Sequence, residues 1–152
     1  MIDVDVDRFT VGVFQDVAWA QKGLGALKHA GFPSESLTII AKDSPEVGAL
    51  VAETFGAAGD PIDLASIGSV LARGPMVEVL RGSGSDLQSL GLSGTMRRVG
   101  FQAHDGRIFE ALTGRGGVLV SVRGEPRAAD ALAILHSYGG GNAAIGAWTG
   151  RV

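Results

Sequence analysis

Residues 11–32 read VGVFQDVAWAQKGLGALKHAGF, and 108 positions later residues 119–140 read LVSVRGEPRAADALAILHSYGG. In the first copy Thr10 to Phe14 is a short β-type run. After Gln15 and Asp16 the apolar positions change their period from two to about 3.6, falling at Val17, Ala20, Leu24, Leu27 and Gly31 along one helical stripe. Asp16 is placed to cap that helix. Gly31 is placed to end it, and Pro33 follows where a helix cannot continue. Leu37 to Ala41 then reads as a second strand, which completes a β-α-β unit.

Carried along by 108 positions, Ala20 falls on Ala128, Leu24 on Leu132, Leu27 on Leu135, Gly31 on Gly139 and Leu37 on Ile145. The second unit is therefore a strand from Val118 to Val122, a helix from Pro126 to Tyr138, a glycine stop at Gly139 to Gly141, and a strand from Ala143 to Trp148. One β-α-β unit cannot bury its own sheet face. Two that pair their strands make a four-stranded antiparallel sheet with both helices on one face, so the expected fold class is α+β, a ferredoxin-like sandwich. The chain divides accordingly as a single domain over 1–152: repeat one at 10–43, a Gly-rich helical insert at 44–115, and repeat two at 116–149.

An insert of that length is too long for a bare loop. Ser44, Pro45 and Glu46 open a helix whose stripe is Val47, Leu50, Val51 and Phe55, and GAAGDP ends it. ASIGSVLARGPMVEVLRG reads as an extended piece followed by a short helix from Pro75. DLQSLGLSGTMRRVGF and DGRIFEALTGRGG read as two more helices. The sheet face that the repeat helices leave open carries apolar residues from VGVF, LTII and VLVSV, so either the insert or a second subunit must cover it. That requirement motivates the expectation of a homo-oligomer.

Composition narrows the function classes. Hydrophobic residues make up 45% and charged residues 19%, and the formal net charge is -3, so no bulk positive charge is present to attract nucleic acid. The absence of cysteine removes disulfides and thiolate chemistry and suits a cytoplasmic protein. MIDVDVDRFT alternates acids where a signal peptide needs a basic end and an apolar run, and the charges from Arg73 to Arg98 interrupt any membrane span.

Three groups of residues are candidates for chemistry. His29, His104 and His136 are dispersed, and His104, beside Asp105 and six residues before Glu110, lacks a ligand spacing. No metal site, cofactor site or catalytic constellation is expected from them. RGSGSD at 81–86 offers backbone amides and the hydroxyls of Ser83 and Ser85, with Arg81, Arg97 and Arg98 nearby, as a candidate anion-binding cluster. It matches neither the Walker pattern nor a nucleophile elbow, and its Gly and Ser cluster reads first as a turn between helices and second as an anion site. On the first helix Trp19, Gly23, Ala26 and Ala30 form a stripe of small residues beside one Trp, a candidate interface or internal seam.

The opening segment VGVFQDVAWAQKGLGALKHAGFPSESLTIIAKD resembles the start of the general stress protein family (YflT-like, heat-induced stress proteins). IGSVLARGPMVEVL is similar to that family's central Ile-Gly-Pro-Val-Leu-Ala-x-Gly-Pro-Leu segment, carried here by Ile67, Gly68, Val70, Leu71, Ala72, Gly74 and Pro75, with Ser69 in place of the first proline. RVGFQAHDGRIFEALTGRGGVLVSV resembles its final helix, double glycine and strand, with the pair at Gly116 and Gly117. The resemblance implies expression under stress and no established catalytic residues. The function expected is a non-enzymatic, cytoplasmic stress-associated protein that self-assembles or binds partners. The alternative is an ACT-like module that senses a small anionic ligand.

Overall fold

The computed structural model describes residues 9–64, 67–81, 86–98, 103–123, 128–137 and 144–145. Among the described residues six strands and six α-helices follow one another as β1 (Phe9–Phe14), α1 (Val17–His29), β2 (Leu37–Lys42), α2 (Pro45–Phe55), β3 (Asp60–Leu64), β4 (Gly68–Arg73), α3 (Pro75–Arg81), α4 (Asp86–Arg98), α5 (Ala103–Gly114), β5 (Val118–Arg123), α6 (Ala128–Ser137) and β6 (Ala144–Ile145), with a 3-10 turn at Ser34–Ser36 before β2. The fold class is α+β.

The caps of the first helix form as its sequence requires. The Trp19 N–H donates to Asp16 Oδ1 at 2.9 Å, and Gly31, at φ 99°, turns the chain out of α1 in a backbone region closed to most side chains. In α2 the Val47 N–H donates to Ser44 Oγ at 3.1 Å, and Gly56, at φ 71°, ends the helix in a left-handed cap.

The strands run in the order β3-β4-β2-β5-β1-β6, every neighbouring pair antiparallel. A four-stranded sheet is therefore too narrow: the segment expected to be a helical insert contributes β3 and β4, a hairpin that adds to the β2 edge. β3 is masked in the sequence by Pro61, Asp60 and Asp63, which leave only Ile62 and Leu64 to alternate. Proline is tolerated there because β3 is an edge strand. Of the strand expected from Ala143 to Trp148, Ala144 and Ile145 are described and pair with Val11 and Thr10 of β1, and the other positions lie outside the described residues.

Both faces of the sheet are covered. On one, Phe14, Leu37, Ile39, Val118, Val120 and Val122 pack beneath Ala20, Leu24 and Leu27 of α1, Val47, Leu50 and Val51 of α2, and Ala131 and Leu135 of α6. Leu27 and Leu135, 108 positions apart, are both fully buried on that face, and each leucine removed from water stabilises the fold by about 1.5–3 kcal/mol. The side chains of Ala128 and Leu132 lie outside the described residues. On the other face Phe9, Val11, Val13, Ile40, Val70 and Leu119 meet Met76, Val77 and Leu80 of α3, Leu87, Leu92 and Met96 of α4, and Phe109 of α5. Of the two expected covers for this face, the insert or a second subunit, α3, α4 and α5 of the insert supply one. Burial on both sides is why β1 is apolar at nearly every position rather than at every second one.

α4 is bent at Gly91, where φ is 75° and ψ is 176°. Beyond the bend the Ser93 N–H donates to Glu110 Oε2 of α5 at 3.1 Å, so a carboxylate from the neighbouring helix satisfies an amide that the break leaves open.

Candidate functional site

The candidate anion cluster is not assembled by the described residues. Ser83 and Ser85 lie outside them. Arg98 Nη2 donates to the carbonyl oxygens of Val79 at 2.9 Å and Leu80 at 3.2 Å, so its guanidinium closes the C-terminal end of α3. Arg81 Nη2 stands 3.8 Å from Asp60 Oδ2 across to β3. Arg97 is exposed in the last turn of α4. Arg98 thus meets the carbonyl end of a short helix, whose partial negative charge draws a cation and works against an anion, while Arg81 in the last turn of that helix faces Asp60.

The small-residue stripe of α1 is divided. Gly23 is buried against the sheet, where a Cβ would stand 2.4 Å from Phe14 Cζ, so it belongs to the helix-sheet contact and not to an open face. Ala26 and Ala30 are half-buried, and Ala30 packs at the margin of the core beneath α1. Trp19 is 39% exposed, with Lys22 Nζ 4.7 Å from its ring centroid. α1 contacts both α2 and α6. Its α2 flank is fixed by Gln21 Nε2 donating to Glu53 Oε1 at 3.0 Å and Lys28 Nζ donating to the Thr54 carbonyl at 2.7 Å. Helical geometry puts the Trp19 stripe on the opposite flank, toward α6. His29 and His104 are exposed, and the side chain of His136 lies outside the described residues.

The structure instead brings together residues from five separate segments at one end of the sheet. β4 pairs Arg73 with Ile39 and Ala72 with Asp60, so the end of β4, the start of β2 and the start of β3 lie side by side. Gly74 then turns the chain sharply into α3. At φ 128° it lies so close to β2 that a Cβ would meet the Leu37 carbonyl oxygen and Thr38 Cα, and only glycine fits. The Met76 N–H donates to the buried Thr38 Oγ1 at 3.0 Å, which pins the first turn of α3 onto β2.

This junction leaves a cleft of about 460 Å³ lined by Ser34, Glu35, Phe55, Asp60, Arg73, Gly74, Pro75, Val77 and Glu78. Its volume lies within the range of small-molecule sites. Phe55 and Pro75, both half-buried, supply apolar surface. Arg73 Nη1 donates to the Ala58 carbonyl at 3.1 Å, and its guanidinium carbon lies 6.0 Å from the Phe55 ring centroid, so this cation is held in place by the protein itself. Glu35 and Glu78 have no ion-pair partner among the described residues.

Comparison with family models, with curated proteins and with solved structures found no match.

Sequence reasoning singled out none of the charged cleft residues, because Glu35, Asp60, Arg73 and Glu78 come from different elements and share no spacing. One signal was present: Gly74-Pro75 marks an abrupt strand-to-helix junction, and such a junction exposes backbone and side chains at a sheet end.

Proposed function

We propose that the chain is a non-enzymatic binding module of the stress-associated kind its sequence resembles, acting by reversible capture of a small molecule at the sheet-end cleft. The observation that carries this reading is the cleft itself, in which apolar surface and charged groups converge from five segments on a rigid strand-helix junction. Two β-α-β units in a ferredoxin-like sandwich, widened by the β3-β4 hairpin, are the fold reading that goes with it. The order β2-β5-β1-β6, with α1 and α6 on one face, supports that arrangement. The cytoplasm is the proposed compartment, on the strength of a composition without cysteine.

Thermal melting against a panel of cationic, zwitterionic and anionic metabolites tests the reading. A ligand at a hundred times its Kd stabilises the folded state by about 2.7 kcal/mol, which raises the melting temperature by roughly 5–10 °C in a chain of this size. A panel that leaves the melting temperature unmoved refutes it.

Self-association is a second reading, favoured by one observation: Trp19 exposes a large apolar ring beside Lys22 on α1. With the sheet face already covered by the insert, a homo-oligomer would be built on that flank. Sedimentation mass of the wild type and of Trp19→Glu decides it. An oligomer that Trp19→Glu dissociates supports the reading, and a monomeric wild type removes it.

A further inference from the structure

We infer that the ligand of the sheet-end cleft is an extended organic cation carrying more than one amine, of the polyamine or guanidino-amine class. The inference rests on the small-molecule reading given above and adds the ligand's chemistry.

Charge gives the sign. Three carboxylates, Glu35, Asp60 and Glu78, line the cleft against one guanidinium, Arg73, whose Nη1 donates to the Ala58 carbonyl and whose central carbon lies 6.0 Å from the Phe55 ring centroid. Asp60 has Arg81 at 3.8 Å, while Glu35 and Glu78 have no ion-pair partner among the described residues. An anion entering here would meet uncompensated carboxylates, whereas a cation would find two of them open.

Spacing gives the shape. Among the described residues no three His, Asp or Glu are grouped closely enough to hold a metal ion, although three carboxylates share this cleft. They come from the turn before β2, from the start of β3 and from the first turns of α3. A compact ion cannot be held by all three at once. A chain with amines at both ends can reach two of them and lay its methylenes on Phe55 and Pro75, which raises the effective concentration of the second amine once the first is bound.

The test uses the whole chain and spermidine, agmatine and putrescine as probes, with glutamate, citrate and magnesium ion alongside. Titrations are followed by calorimetry and by the amide resonances of Ser34, Gly74 and Val77. Spermidine or agmatine is expected to move these resonances saturably. Glu35→Gln and Glu78→Gln should each weaken binding roughly two- to fivefold. Both residues are exposed, so the variants should remain folded. Glu46→Gln, at the start of α2 and outside the cleft lining, changes net charge equally and should leave the affinity unchanged.

Equal weakening by all three variants would mean diffuse attraction to an acidic protein and would overturn the inference. Movement of the cleft resonances by citrate, glutamate or magnesium and not by the amines would overturn the ligand class while leaving the cleft as a binding site. Resonances that no probe moves would overturn the ligand class, and together with an unmoved melting temperature across the wider panel would remove the cleft reading as well.

Discussion

Two glycines two residues apart on α1 should respond to the same substitution with opposite signs. Alanine at either position gains about 1 kcal/mol of helix propensity, because glycine gives up more backbone freedom on folding. At Gly25 the new methyl group meets nothing within 4 Å, so Gly25→Ala should stabilise the protein by about 0.5–1 kcal/mol. At Gly23 the Cβ would lie 2.4 Å from Cζ, 2.8 Å from Cε1 and 3.2 Å from Cε2 of Phe14, where carbon atoms prefer roughly 3.5–4 Å. The ring must retreat by more than about 1 Å. Its tip is the movable end of a side chain, but Phe14 is fully buried in the core beneath α1, α2 and α6, so any retreat displaces neighbours. Overpacking of that kind costs about 1–3 kcal/mol, which outweighs the propensity gain and leaves Gly23→Ala destabilised by about 1 kcal/mol and at most about 2.

The propensity term is common to both variants and cancels in their difference, so the gap between them measures the clash alone. Urea unfolding followed by circular dichroism should separate Gly23→Ala from Gly25→Ala by about 1–3 kcal/mol, or several degrees in melting temperature. Adding Phe14→Leu to Gly23→Ala should recover part of the loss through a favourable coupling between the two sites. Two alanine variants of equal stability would refute the seating of α1 on β1. A Gly23→Ala effect that grew on dilution would instead put Gly23 in an interface between subunits.

Leu24→Ala and Leu135→Ala should each destabilise the protein by roughly 2–4 kcal/mol, because both side chains are buried on the face covered by α1, α2 and α6; denaturant melts check this, and a change under about 1 kcal/mol in either contradicts it. Thr38→Val should cost about 1–3 kcal/mol in the same assay, since it leaves the Met76 N–H without its acceptor. Ser121→Ala should be neutral or stabilising by up to about 1 kcal/mol, because Ser121 Oγ is buried with no hydrogen-bond partner and its removal relieves a desolvated hydroxyl. A loss of more than about 1 kcal/mol on Ser121→Ala would show that the hydroxyl has a partner, such as an internal water.

What the sequence made legible were the elements whose physical signals are local. Asp16 and Ser44 announce their helices because a side-chain oxygen three residues ahead of an open amide is a short-range arrangement. Gly31 and Gly56 announce the stops because their positive φ is a property of one residue. The helix stripes of α1 and α2 lie within a few turns and repeat often enough to read. β3 was hidden for the opposite reason: five residues with a proline and two aspartates carry too few alternating positions, and what makes them a strand is pairing with β4. The cleft was hidden more deeply still, since Glu35 and Glu78 are unremarkable surface acids until β2 and α3 meet through Gly74.

The insert also changes where recognition can take place. With only two β-α-β units, one face of the sheet would be bare apolar surface, and pairing with a second copy would be the natural way to remove it from water. Here Met76, Leu80, Leu92, Met96 and Phe109 of α3, α4 and α5 fill that role within the same chain. With β1, β2 and β5 buried on both faces, the sheet leaves its edges, its ends and the outer hairpin for partners. One edge is β3, where Pro61 and the exposed Asp60 and Asp63 oppose the addition of another strand, and the β3-β4 hairpin sets that edge apart from the central strands β2, β5 and β1. The other edge is β6. What remains of the β2 side is the sheet end at Gly74, where β2, β4 and α3 are locked together by the Thr38 hydroxyl and a glycine that no other residue can replace. A ligand site on such a junction would require little rearrangement to bind, which is why recognition is proposed at the cleft, where Glu35, Asp60, Arg73 and Glu78 meet, and not on either sheet face.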